Sequence, residues 1–244
     1  MGVNDDQQME FAMIEVRPFN TLGGANHGWL DARHHFSFAE YYDPKRMSWG
    51  RLRVWNDDKI APRSGFPPHP HRDMEIITYV RSGAITHEDS MGNKGRTAAG
   101  DVQVMSAGTG VRHAEYNLED ETTTIFQIWI EPDRHGQAPS WGARQFPKSD
   151  RSGQWSVLAS GKGDDGALKI QADARVAGVT LDAGQEIVWE TSPDRHVYAV
   201  AATGVIEVEG QKANARDGVA ATGTSRVVFR AVEGPAEIVL TDTL

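Results

Sequence analysis

Two short pairs of potential metal ligands stand out in this 244-residue sequence: His69 with His71, and His113 with Glu115. Side chains two positions apart point to the same face of a β-strand. If both segments are extended, each pair can therefore bind one ion with two side chains. Two such pairs facing each other inside a barrel would form a site of three imidazoles and one carboxylate. That ligand set suits a redox-capable divalent metal such as Fe²⁺, Mn²⁺, Ni²⁺ or Cu²⁺ better than a closed structural zinc site.

A second carboxylate, Glu75, competes with Glu115 for the fourth ligand position. On a strand, Glu75 would point to the same face as His71, but it lies four residues away, about 13 Å along a regular strand. It would reach the same ion only through a bulge, whereas Glu115 is two residues from His113. We therefore predict that Glu115 is the ligand and that Glu75 orients a histidine ring through a hydrogen bond.

The elements that must position these residues are predicted to be almost entirely strands. Turn signals, among them Asn56-Asp57-Asp58, separate short extended runs. The clearest runs cover residues 51–55, 75–80, 102–105, 123–130, 186–189, 197–201 and 226–230. No amphipathic helix longer than about three turns emerges from the period-3.6 test. Many short strands at close spacing indicate an all-β sandwich or barrel.

The chain divides near residues 131–155, a polar stretch with scattered proline, glycine and serine that predicts a connecting linker. Both halves repeat the same strand-and-turn rhythm. We predict two barrels of related design, an N-terminal barrel over residues 1–135 and a C-terminal barrel over residues 136–244. Because His196 is the one histidine of the second half, only the first barrel is expected to bind metal.

The other histidines give weaker signals. His87 is expected inside the first barrel, either as a hydrogen-bonded core residue or as support for a ligand. His34 and His35 are predicted to pack. No role is assigned to the remaining three, His27, His135 and His196.

Composition excludes several other classes of function. The chain has no cysteine, which excludes disulfides, thiolate sites and cysteine nucleophiles. A net charge of −9 gives no general basic surface for nucleic acid. No apolar run approaches membrane-spanning length and no secretory signal is evident, so the cytoplasm is the expected location.

Motifs around the two ligand pairs resemble those of cupins. Gly65, His69, His71, Glu75 and Gly83 resemble the first cupin motif, with a shortened glycine–histidine spacing. The second motif is carried, with extra residues before its histidine, by Gly100, Gly108, His113 and Asn117. Within the cupins, the chain resembles the pirin family and its bacterial pirin-like quercetinases. The stretches that carry this resemblance are residues 34–44, 50–58, 69–80, 87–95 and 103–117.

The resemblance implies an all-β fold of two cupin (jelly-roll) barrels that exchange terminal strands, with one metal in the first barrel. It implies His69, His71, His113 and Glu115 as the ligands. Fe²⁺ is the metal expected first, with Mn²⁺, Ni²⁺, Cu²⁺, Co²⁺ and Zn²⁺ as alternatives. The activity implied is a dioxygenase that cleaves a flavonol-like substrate such as quercetin with O₂, with Glu115 as the catalytic base.

Pirins also include metal-dependent regulators, and this second function is kept open. In that role the metal-bound state would alter binding to a protein partner, and the negative net charge favours a protein over nucleic acid. An enclosed, apolar cavity beside the metal would favour the enzyme. A shallow site filled with solvent would favour the regulator.

Overall fold

The structure, a computed structural model, describes residues 12–244. The predicted β architecture is confirmed, with 22 strands and two 3₁₀ helices in the described residues. The 3₁₀ helices span Phe19–Thr21 and Lys148–Arg151. In chain order the strands are β1 (Met13–Arg17), β2 (Gly23–Asn26), β3 (Leu30–His34), β4 (Leu52–Ile60), β5 (Ser64–His71), β6 (Glu75–Ser82), β7 (Ala84–Asp89), β8 (Lys94–Ala98), β9 (Val102–Ser106), β10 (Val111–Asn117), β11 (Thr123–Ile130), β12 (Ser140–Arg144), β13 (Ser156–Ser160), β14 (Leu168–Lys169), β15 (Ala174–Leu181), β16 (Glu186–Glu190), β17 (His196–Thr203), β18 (Ile206–Val208), β19 (Gln211–Ala213), β20 (Gly218–Thr222), β21 (Arg226–Ala231) and β22 (Ala236–Thr243). No helix within residues 12–244 is long and apolar enough to cross a bilayer.

The strands form four sheets, two in each half of the molecule. The first barrel pairs a seven-stranded sheet, in the order β12-β9-β6-β11-β4-β3-β2, with a four-stranded sheet, β5-β10-β7-β8. The second barrel repeats this plan with the sheets β1-β20-β17-β22-β15-β13-β14 and β16-β21-β18-β19. Two cupin barrels in one all-β chain, as predicted, therefore make up the fold.

The largest core lies between the two barrels. Trp55, Tyr79 and Phe126 from the first seven-stranded sheet pack in one buried cluster with Tyr198 and Val239 from the second. Such strands are buried on both faces, which explains why β6, β11 and β17 are nearly continuous apolar runs in the sequence. The two seven-stranded sheets therefore stand back to back, with a four-stranded sheet on each outer side.

Each barrel borrows a strand from the other half of the sequence. β1 pairs antiparallel with β20 of the second barrel, and β12 pairs antiparallel with β9 of the first. The stretch predicted as a linker over 131–155 is therefore partly structured, since it contains β12 and the second 3₁₀ helix. The division after residue 135 remains a prediction. β1 and β12 each pair with a strand on the other side of it, so neither barrel is one continuous stretch of sequence.

One predicted turn is wrong. Asn56, Asp57 and Asp58 lie in the middle of β4, between β3 and β11, and form no turn. Asp57 faces the inter-barrel side, where it forms ion pairs with Arg81 and Arg216. Asn56 and Asp58 face the interior of the first barrel. Three polar residues that usually favour turns are thus accommodated in a central strand by ion pairs on one face and a cavity on the other.

Candidate metal centre

The two ligand pairs lie on neighbouring strands of the same sheet. His69 on β5 is the register partner of His113 on β10, and a bulge separates His113 from Glu115. The pairs therefore sit side by side, and they do not face each other across the barrel as the sequence suggested. β5 is the edge strand of its sheet, which explains how the segment tolerates Pro67, Pro68 and Pro70 without losing ladder hydrogen bonds.

The three predicted histidine ligands converge. Ring nitrogens of His69, His71 and His113 all lie within 4.8 Å of one another. The Nε2 atoms of His69 and His113 are 3.1 Å apart. Two nitrogens that each bind one metal at about 2.1 Å in tetrahedral or octahedral positions lie about 3.0–3.4 Å apart. The spacing of these two rings fits a shared ion.

Hydrogen bonds on the far sides of the rings set their tautomers. Nδ1 of His69 lies 2.8 Å from the carbonyl oxygen of Pro67, which can only accept, so Nδ1 carries the proton. Nε2 of His87 donates to Asp89 at 2.9 Å, which leaves Nδ1 of His87 to accept from Nδ1 of His113 at 3.4 Å. In the neutral rings, Nε2 of both His69 and His113 therefore presents a bare lone pair toward the other.

A cation is the natural partner for these lone pairs. Burial, followed by the neighbouring histidines, lowers the pKa of His113 to about 3 and that of His71 to about 4. Both rings are thus neutral at neutral pH. Nε2 of His71 is buried and has no hydrogen-bond partner among the described residues. Three imidazoles whose ring nitrogens converge fit a divalent transition metal.

His87 supports this cluster from behind. It is fully buried, and its ring stacks on Trp141 with centroids 4.9 Å apart. Burial opposes ionisation of Asp89, but hydrogen bonds from His87, Asn93 and Met91 together lower its pKa. Asp89 is therefore an anionic acceptor that holds His87, and His87 in turn holds His113. Of the two roles left open for His87, the structure favours support of a ligand.

Glu115 lies beside the histidines but is turned toward amide donors. Its carboxylate accepts hydrogen bonds from Gln103 and Gln127, both at 2.7 Å, and the hydroxyl of Thr78 is 3.0 Å away. An oxygen of Glu115 is within 4.8 Å of ring nitrogens of His113 and His87, in a second group that does not include His69 and His71. The four predicted ligands thus share one barrel interior, with the three imidazoles closest together.

Glu75, the competing carboxylate, belongs to a different environment. It accepts a hydrogen bond from Ser106 at 2.6 Å and another from the backbone of Gln171, and burial raises its pKa. These partners differ from the histidine ring that the sequence suggested. Glu75 instead links the first barrel to the loop before β15.

A cavity of about 210 Å³ opens beside the cluster. Its walls are largely apolar and include Phe38, Phe66, Ile76 and Trp129, and all four predicted ligands lie on its surface. Sequence reasoning missed several other lining residues, namely His27, His34, Asn56, Asp58 and Gln127. His34 was predicted only to pack.

Three of the missed residues, His34, Asn56 and Gln127, belong to a polar row that crosses the seven-stranded sheet. Register pairs join His34 to Asn56, Asn56 to Gln127, Gln127 to Thr78 and Thr78 to Gln103. At one end of the row, Gln103 donates a hydrogen bond to Glu115. The sequence contains a signal for this row, because a polar residue stands at an inward-facing position of an otherwise apolar strand, as Gln127 does in β11.

The lining contains three buried polar atoms without a hydrogen-bond partner in the described part of the chain: His71 Nε2, Trp129 Nε1 and Asp58 Oδ1. Buried polar atoms are normally paired, and those that are not require an explanation. These three atoms are therefore available to hydrogen-bond a molecule that enters the cavity.

Comparisons with known proteins agree with this fold. The family model Pirin matches residues 15–130, and the model described as quercetinase C-terminal cupin domain matches residues 157–243. A pirin-like protein of Caulobacter vibrioides is 64% identical over 231 residues, which is 94% of this chain and 99% of that protein. The chain belongs to the pirin family. The resemblance inferred from the motifs is thereby confirmed.

Two comparisons with Escherichia coli proteins extend this result. A protein named quercetin 2,3-dioxygenase (strain K12) is 41% identical over 231 residues, covering 94% of this chain and 98% of its own. The crystal structure of bacterial pirin YhhW in complex with nickel(II) matches with a TM-score of 0.89 and 40% identity, over 95% of this chain and 99% of that one. This pirin thus carries a His/Glu cluster suited to a metal on a fold for which a nickel complex is known.

Proposed function

We propose that this pirin is a metal-dependent dioxygenase that cleaves a flavonol-like substrate with O₂. His69, His71 and His113 would hold one divalent metal, with Glu115 as the fourth ligand. The observation that carries the proposal is the convergence of three imidazoles on the wall of a largely apolar cavity. The name of the Escherichia coli relative, quercetin 2,3-dioxygenase, supports the same reaction class.

The cavity favours this activity over a regulatory role through a protein partner. Aromatic and aliphatic walls around a few convergent polar groups are typical of small-molecule sites. The volume of about 210 Å³ is below the roughly 300–1,000 Å³ usual for such sites. A three-ring ligand would therefore extend toward the rim, where the lining residues Ala25, His27 and Ala39 are partly or fully exposed.

The chemistry divides between the metal and the side chains. A bound divalent metal would supply Lewis acidity toward a hydroxyl of the substrate. Glu115 would accept the proton of that hydroxyl, since its carboxylate reaches the cavity and is held by Gln103 and Gln127. The apolar walls exclude water from the resulting electron-rich anion. Two bonds of the central ring then break, both atoms of O₂ enter the product, and the carbon between them leaves as carbon monoxide.

Oxygen uptake with a panel of flavonols, measured on protein loaded separately with each candidate metal, tests the activity. Wild-type protein should consume one O₂ per flavonol, and His71→Ala should lose both metal and activity. Metal-loaded Glu115→Gln should retain the ion but lose about two to four orders of magnitude in rate, the usual contribution of a general base. Gln103 and Gln127 can rotate their amides to accept the new NH₂ group.

Glu75→Gln is the matched control. It makes the same change at a buried carboxylate of the same barrel that does not line the cavity, and it should leave the rate unchanged. Full activity of metal-loaded Glu115→Gln would remove Glu115 as the base. Absence of oxygen uptake by wild-type protein with all metals and flavonols would contradict the proposed activity.

A further inference from the structure

Asp58 has a buried carboxyl oxygen without a hydrogen-bond partner among the described residues. It is 2% exposed, and its Oδ1 atom receives no hydrogen bond from any described residue. Its register partners, Ala32 and Ile125, have no polar side-chain atoms. Both belong to an apolar cluster with Leu30 and Ile60. A carboxyl group in such surroundings lowers the stability of the fold unless something binds it.

A structural ion-pair role belongs to the neighbouring residue instead. Asp57 faces the opposite side of the sheet and forms salt bridges with both Arg81 and Arg216. Asp58 faces the cavity, whose lining it shares with the histidine cluster. Because no residue within 12–244 satisfies Oδ1, and Asp58 lines the cavity, a ligand in the cavity can supply the partner.

The position of Asp58 separates it from the histidines. Trp129 packs edge-on against His71, with ring centroids 4.9 Å apart. Trp129 lies four residues along β11 from Ile125, the register partner of Asp58, which is about 13 Å at about 3.3 Å per residue. A planar molecule of two or three rings, held by the histidines at one end, would reach Asp58 at the other.

We propose that Asp58 is a substrate-recognition residue that binds a ring hydroxyl of the ligand, remote from the oxygen atoms held at the metal. This inference rests on the proposed function and narrows its substrate class to planar aromatic compounds that carry such a hydroxyl. Burial, followed by the charges of Asp57 and Glu115, raises the pKa of Asp58 well above its usual range. A neutral carboxyl group can both donate to and accept from a hydroxyl.

Binding measurements on metal-loaded protein test this role without relying on turnover. We would measure by titration calorimetry the Kd of quercetin and of 3-hydroxyflavone, which keeps the chelating oxygens but lacks the other ring hydroxyls. Wild-type protein should prefer quercetin. Asp58→Leu, similar in size and apolar, should weaken quercetin binding about 10- to 100-fold and leave 3-hydroxyflavone binding unchanged. Asp58→Asn, which still donates and accepts, should keep most of the preference.

The melting temperature separates recognition from folding. Ligand-free Asp58→Leu should melt at a higher temperature than wild type, because it removes an unpaired polar group from an apolar cluster. An unchanged preference for quercetin in Asp58→Leu would overturn the role of Asp58, while flavonol turnover would still support the proposed activity. Failure of wild-type protein to bind or oxidise either flavonol would overturn both proposals.

Discussion

At the scale of single residues, the candidate site depends on which nitrogen of each imidazole carries the proton. His69 is fixed by a backbone carbonyl, and His113 is fixed by the chain from Asp89 through His87. Residues that support a ligand in this way commonly strengthen metal affinity, because they hold the ring in its binding orientation before the ion arrives.

The support from His87 leads to a measurable expectation. His87→Phe preserves the ring and its stacking on Trp141 but removes both nitrogens, so His113 loses its hydrogen-bond acceptor. Metal affinity should fall about 10- to 100-fold, measured by competition with a chromogenic chelator. His135→Phe, the same change at an exposed histidine, should leave affinity unaltered. Equal affinities for His87→Phe and wild type would show that His113 needs no support.

At the scale of secondary-structure elements, the β5–β10 contact decides whether the ligands meet. A Cβ atom added at Gly65 on β5 would lie 2.3 Å from the carbonyl oxygen of Glu115 and 2.5 Å from Cα of Tyr116. Backbone atoms cannot yield as a flexible side chain can. The two strands must therefore separate to admit any side chain at Gly65, close to the bulge that places Glu115.

Gly65→Ala should consequently destabilise the protein by about 1–3 kcal/mol, the usual cost of overpacking, and weaken metal binding as well. Urea unfolding and the chelator competition measure the two effects. Gly142→Ala on β12 is the matched control, since its new Cβ would meet only Leu168, at 3.5 Å. A Gly65→Ala protein as stable as Gly142→Ala would contradict the tight approach of the strands.

Much of this arrangement could be predicted from the sequence, because strand parity and the spacing of His69, His71 and His113 encode it locally. The seven predicted runs all coincide with observed strands. The assignment of Asn56, Asp57 and Asp58 to a turn failed for a physical reason. Intrinsic preference favours a turn there, but it was outweighed by long-range ion pairs that no local pattern reveals. Strand exchange was expected only from the family resemblance, because β1–β20 and β12–β9 pair segments that are far apart in the sequence.

At the scale of the whole molecule, the two barrels share a fold but differ inside. The second barrel is filled by a continuous apolar cluster that includes Trp189, Ala199, Ala201 and Phe229. The interior of the first contains the polar row, Glu115 and the cavity. The described residues that could hold a metal lie in the first barrel. The second barrel is thus filled by apolar side chains, whereas the first encloses a cavity whose lining includes polar side chains.

The barrels should nevertheless unfold together. They share the largest core cluster, and Arg151 donates a hydrogen bond to Tyr79 of the first barrel and pairs with Glu237 of the second. Metal at 100 times its Kd adds about 2.7 kcal/mol of stability, so removing it should lower the Tm by about 5–10 °C for a chain of this size. We expect one calorimetric transition with and without metal.

His71→Ala provides the control for this experiment, since its Tm should not respond to added metal. Two resolved transitions, of which only one moves with the metal, would contradict the coupling between the barrels. An unchanged Tm after verified removal of the metal would count against a site that is ordered by its ion.

The exchanged strands also affect how the protein is made. β1 leaves the ribosome first, yet its partner β20 is near the other end of the chain. At about 5–20 residues per second, β1 waits about 10–40 s before it can pair. Meanwhile the first barrel leaves the edge of β9 open until β12 has emerged, and an open edge can template aggregation. A nascent chain stopped before residue 140 is therefore most exposed to aggregation at the edge where β12 would lie.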